Sequence, residues 1–65
     1  MKYRAVFYLR DENGEERQVV VPVPALSLND AKTVFHVQVE ATKKGHKGRF
    51  IRAELVQVTE SEEGD

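Results

Sequence analysis

Sixty-five residues make one domain, and a chain this short buries only about 60% of the surface its unfolded form exposes, so its core is thin. With no cysteine, disulfide staples and thiolate zinc sites are excluded. Ten Lys and Arg against eleven Asp and Glu leave a net charge of −1, so no global basicity argues for nucleic acid.

The first element is expected at residues 3–10, YRAVFYLR. Period-two alternation puts Tyr3, Ala5, Phe7 and Leu9 on one side and Arg4, Val6, Tyr8 and Arg10 on the other, and the aromatic and branched residues favour a strand. Its apolar run, Ala5 to Leu9, is too short for a signal-peptide core or a membrane span, which points to an intracellular, cytoplasmic protein. Asn13-Gly14, within DENGEE, is expected to supply the positive φ angles of a tight hairpin turn. The returning strand, RQVVVPVP, turns Val19, Val21 and Val23 one way. Pro22 and Pro24 cannot donate ladder hydrogen bonds, which places this strand at a sheet edge.

Residues 28–42 carry two competing patterns. Ser27-Leu28-Asn29-Asp30 resembles a capping box, and helical spacing gathers Leu28, Ala31, Phe35, Gln38, Val39 and Thr42 along one stripe, widened by Val34 and Ala41. Lys43 and Lys44 suit a last helical turn, and Gly45 stands where a helix stop belongs. Against this, Phe35 to Ala41 alternates with period two and is rich in β-branched residues; read as a strand, it would make a small all-β protein. The helix is the favoured reading. The last strand, RFIRAELVQV, is expected to set Ile51, Ala53 and Leu55 on one face and Phe50, Arg52, Glu54, Val56 and Val58 on the other, with room for a bulge near Leu55.

The resulting expectation is an α+β, two-layer β-β-α-β domain over residues 1–59, followed by a disordered acidic tail at 60–65. Its three-stranded antiparallel sheet has order 2-1-3, with a right-handed crossover helix covering one face. The uncovered face would display Arg4, Val6, Tyr8, Arg10, Gln18, Val20, Phe50, Arg52, Glu54 and Val56. Aromatic residues and arginine are enriched at protein interfaces, so Arg4, Tyr8, Phe50, Arg52 and Val56 are the candidate protein-binding residues. The plain alternative is that a small protein exposes apolar atoms in any case.

The stretch KKGHKGR, residues 43–49, concentrates Lys43, Lys44, Lys47 and Arg49 around His46 and two glycines. Its GHKG matches the Gly-x-x-Gly pattern with which KH domains clamp a nucleic-acid backbone, making these four basic residues the candidate nucleic-acid site. That loop joins two helices, however, whereas here a strand follows, and a solvated basic turn is the favoured reading. His36 and His46 have no companions at metal-ligand spacing, the carboxylates crowd into the hairpin tip and the tail, and Ser27 reads as a cap. No cofactor, metal or catalytic group is therefore expected.

The layout of VPVPALSLNDAKTVF followed by KGRFIRAELVQV resembles small phage-encoded β-β-α-β proteins such as the host RNA polymerase inhibitors of short-tailed coliphages. The shared features are an apolar strand, a Leu-Asn-Asp-Ala helix start and a final strand rich in Val and Arg, spanning most of residues 4–58. The resemblance implies a non-enzymatic protein that occupies a partner's surface, with Arg49 and Arg52 in the basic strand of that family. The expected partner is a host or self protein, with homo-oligomers included, nucleic acid is the second possibility, and no membrane is involved.

Overall fold

The computed structural model describes residues 2–58; the acidic tail proposed at 60–65 lies outside them. Four elements follow in the expected order: β1 (Lys2–Arg10), β2 (Glu16–Val23), α1 (Leu28–Gly45) and β3 (Phe50–Val58). The sheet order is β2-β1-β3, with both outer strands antiparallel to β1. The domain is α+β, and the competing all-β reading fails at α1.

The helix wins at residues 28–45 because its start is capped and one of its faces has a partner. The Ser27 hydroxyl accepts from the Asp30 N–H at 3.2 Å, and Asp30 also places a negative charge in the first turn. Ala31 is fully buried; Val34, Phe35, Gln38, Val39 and Thr42 are half-buried along the same stripe, while Leu28 and Ala41 stay exposed. Period-two alternation at 35–41 thus yields to a stripe that buries apolar surface every three to four residues.

The core lies between this stripe and the sheet. Tyr3, Ala5 and Phe7 of β1, Val23 of β2 and Ala31 of α1 are buried together, with Val21, Phe35, Val39, Phe50, Ala53 and Leu55 among the residues packed against them. The Phe7 and Phe35 rings stack with centroids 6.4 Å apart. Val19, which alternation places on the same side as Val21 and Val23, is nevertheless 43% exposed.

The hairpin differs from the expected one. Within the hairpin only Gly14, and not Asn13, has a positive φ, of 81°. The turn runs from Asp11 to Gly14, closed by the Gly14 N–H donating to the Asp11 carbonyl at 3.0 Å. The Asp11 carboxylate organises it: Oδ1 accepts from the Asn13 and Glu15 amides, and Oδ2 accepts from Arg17 Nε at 2.7 Å. These contacts, led by the Arg17 hydrogen bond, hold the Asp11 carboxyl below the usual carboxylate range.

A second correction concerns β3. Tyr8 pairs with Arg52 but Leu9 pairs with Phe50, so Ile51 is an extra residue and the register shifts there rather than near Leu55. The shift moves Phe50 to the side of Leu9. Phe50, expected on the open face, therefore packs against the core beneath α1, with Lys43 Nζ 5.6 Å from its ring centroid.

Candidate interaction face

On the sheet face away from α1, strand pairing arranges the side chains in rows. Pro22, Arg4 and Val56 form the first, Val20, Val6 and Glu54 the second, and Gln18, Tyr8 and Arg52 the third. Among the described residues no element lies over these rows. Val6 is nevertheless only 8% exposed, sheltered by the rows on either side, while Val20 is 52% and Val56 37% exposed. The centre of the face is thus a flat apolar strip across all three strands.

Polar groups fix one end of that strip. Arg52 lies over the Tyr8 ring, its Cζ 3.8 Å from the centroid, and its guanidinium pairs with the Glu54 carboxylate. Hydrogen bonding from Arg52, with a smaller contribution from the Tyr8 hydroxyl, holds the Glu54 carboxyl below its usual range; the same pairing raises Arg52. The trio holds the guanidinium over the aromatic ring, and side chains ordered in this way reduce the entropy a partner must overcome. At the other end Arg4 is exposed between Pro22 and Val56, with no side-chain ion pair or hydrogen bond among the described residues. Beside it a shallow depression of about 520 Å³ continues past Pro22 to Pro24 and Ala25.

Four of the five expected protein-binding residues, Arg4, Tyr8, Arg52 and Val56, share this face, and Phe50 does not. Pro22 and Glu54 belong with them. The i, i+2 spacing of Arg52 and Glu54 announces a common face, whereas Pro22 is legible only as a partner of Arg4 once the register is known.

The basic stretch is arranged differently. Lys43 and Lys44 occupy the last turn of α1, and His46 caps it: its N–H donates to the Thr42 carbonyl at 3.0 Å, and Nδ1 lies 3.1 Å from the same oxygen. The Arg49 and Phe50 amides both return to the His46 carbonyl, and Gly48, at φ 80°, closes the turn. A phosphate loop turns free amides outward at a helix N-terminus. Here the stretch follows a helix C-terminus, whose carbonyl end repels anions, and several of its amides are already bonded within the chain. Lys43 also faces Glu40 at 4.0 Å. Lys44, Lys47 and Arg49 remain exposed, and the loop joins a helix to a strand, unlike the KH arrangement.

Among the described residues no three His, Asp or Glu side chains gather to hold a metal ion, and no helix is long and apolar enough to cross a membrane. No family model matches the chain, and neither does any curated protein or solved structure.

Proposed function

We propose that this chain is a small, non-enzymatic interaction module that docks another protein on the open sheet face. The observation that carries this reading is the strip of Val6, Val20, Pro22 and Val56 flanked by the ordered Tyr8, Arg52 and Glu54 trio. A sheet face that only meets water commonly carries polar residues at these positions, whereas an apolar centre rimmed by arginine and an aromatic ring has the composition of an interface. Arg4, with no ion pair among the described residues, suits a carboxylate at the edge of the docked surface. In working this way, the chain would act as the small phage-encoded proteins it resembles in layout do, by occupying a partner's surface. Affinity capture with the tagged chain tests the reading. Proteins retained by the wild type should be lost with Tyr8→Ala and with Val20→Ser, yet kept with Val37→Ser on the outer face of α1. Equal retention by all four chains would contradict it.

A further inference from the structure

The outer edge of β2 is guarded at one end only. In an antiparallel strand the N–H and C=O of one residue point to the same side, and successive residues alternate. Pro22 has no N–H, and its carbonyl accepts from Gln38 Nε2 of α1 at 3.3 Å, so its backbone groups face away from β1. Val20, Gln18 and Glu16, spaced by two from it, then present both backbone groups to the same outer edge. The register to β1 is regular from the Tyr3–Val23 pair to the Arg10–Glu16 pair, and among the described residues no strand lies beyond β2. Pro22 blocks a further strand at its own position. The run from Glu16 to Val20 stays open to one, and its Val19 and Val20 are exposed on opposite faces of the sheet.

The charges at this edge fit a second copy of the chain. Among the described residues neither Arg4 nor Glu16 has an ion pair. Both lie on the open face, Arg4 beside Pro22 and Glu16 beside Arg10, which donates to the Gly14 carbonyl. A two-fold axis through Val19, normal to the sheet, sets two β2 strands antiparallel, with Val20 opposite Gln18 of the second copy and Glu16 opposite Pro22. The next residue in that row is Arg4 of the second copy. Two strand spacings, about 10 Å, separate it from Glu16 across the low proline ring, a gap that an extended glutamate and arginine span together. The contact occurs twice, once on each side of the axis. On the helix side Val19 meets Val19, so two exposed valines cover each other. Neighbouring registers lack this fit. An axis through Gln18 sets each Val19 against an Arg17 and brings the two Arg17 side chains onto a diagonal, and one through Val20 leaves Gln18 facing Pro22 without a bonding partner. A net charge of −1 leaves little long-range repulsion between copies.

We propose that β2 pairs with β2 of a second copy about Val19, joining two three-stranded sheets into one continuous sheet. Val20 and Gln18 exchange backbone hydrogen bonds across the axis, Val19 packs on its counterpart, and Glu16 of each copy closes over Pro22 onto Arg4 of the other. The symmetry is that of an isologous dimer. The pairing rests on the strand edge and its charges, and holds whether or not the open face docks a further protein.

Analytical ultracentrifugation over a concentration series tests this on the intact chain. The wild type should pass from 7.4 kDa to twice that mass as concentration rises. Arg4→Glu and Glu16→Arg, both at exposed positions, should each move that transition about tenfold higher in concentration while keeping the far-UV spectrum of the fold. Mixed in equal amounts, the two variants should regain the wild-type transition, because each altered position then meets the opposite charge. Val19→Cys, in a chain otherwise free of cysteine, should form a disulfide-linked dimer on oxidation, since the two Val19 positions are a close pair. Gln18→Cys, whose counterpart lies on a diagonal, should not. Tyr8→Ala, which removes the ring from the open face, should leave the dimer intact. A wild type that stays at 7.4 kDa throughout would overturn the proposal. So would a dimer indifferent to both charge reversals, a mixture that fails to recover it, a dimer abolished by Tyr8→Ala, or a disulfide formed by Gln18→Cys and not by Val19→Cys.

Discussion

Arg52 lies over the ring of Tyr8, with 3.8 Å between Cζ and the ring centroid, and joins the middle strand to β3 across the open face. A guanidinium in this position is held by the negative face of the ring, and its Nη1 donates to the Glu54 carboxylate along the same strand. The contact turns a half-buried ring and an exposed guanidinium into one feature of the surface.

The trio should be visible in a titration. Because Arg52 and, to a lesser degree, Tyr8 hold the Glu54 carboxyl below its ordinary value, the stabilisation they provide is complete above the ordinary carboxylate pKa and is lost as pH falls through the lowered one. Carboxyl NMR should show Glu54 titrating below the usual range. Arg52→Gln should return it most of the way, and Tyr8→Phe only part of the way. A Glu54 that titrates at its ordinary value in the wild type would show that the trio does not form in solution.

Asp11 makes the same argument at the hairpin. Its carboxylate accepts from two turn amides and from Arg17, and its pKa is lowered. Asp11→Ala should destabilise the fold at neutral pH. The difference from wild type in urea unfolding should shrink as the solution is acidified from about pH 5 through the lowered pKa, where the wild-type carboxylate also becomes protonated. A difference that stays constant with pH would assign the loss to the turn backbone alone.

The helix start rests on one hydroxyl. Ser27→Ala removes the acceptor for the Asp30 amide and should cost about 1 kcal/mol, read as a lower urea midpoint with an unchanged slope. Ser27→Asp should retain most of that stability, since aspartate caps as well as serine.

In a core this thin, one aromatic ring is decisive. Phe7 is 3% exposed and stacks on Phe35, so Phe7→Ala should cost about 3–5 kcal/mol and leave the chain largely unfolded at room temperature. Val37, 62% exposed on α1, serves as the contrast, and Val37→Ser should change stability by less than about 0.5 kcal/mol. Circular dichroism melts of the two variants decide the point.

The architecture was legible because local signals agreed with one another. The hairpin, the edge position of β2 marked by Pro22 and the Ser27 cap each reported on backbone chemistry within a few residues, and together they imposed the order 2-1-3. What could not be read was long-range register. Period two runs unbroken through FIRAELVQV, and nothing local reveals that Leu9 pairs with Phe50 while Tyr8 pairs with Arg52. Adding the single residue Ile51 reverses the side of Phe50 and takes it out of the candidate site. The hairpin tip was misread for a related reason. Asn13-Gly14 suggested a tight turn with positive φ at both residues, but only Gly14 adopts it, and the Asp11 side chain captures the amides of Asn13 and Glu15. The basic stretch divides between the last turn of α1, through Gly45, and the turn that follows, whose anchor, the His46 cap on Thr42, had no sequence signal beyond the neighbouring glycines.

Site-specific photo-crosslinking would test the docking face most directly. A benzophenone amino acid would replace Val20, exposed on β2 in the middle row of the open face, or Val37, exposed on α1. After irradiation of cells expressing each chain, we expect a discrete protein adduct from position 20 that is absent from position 37 and lost when Tyr8→Ala is added. Equal labelling at both positions, or none at position 20, would contradict the assignment of the open sheet face as the working surface of this protein.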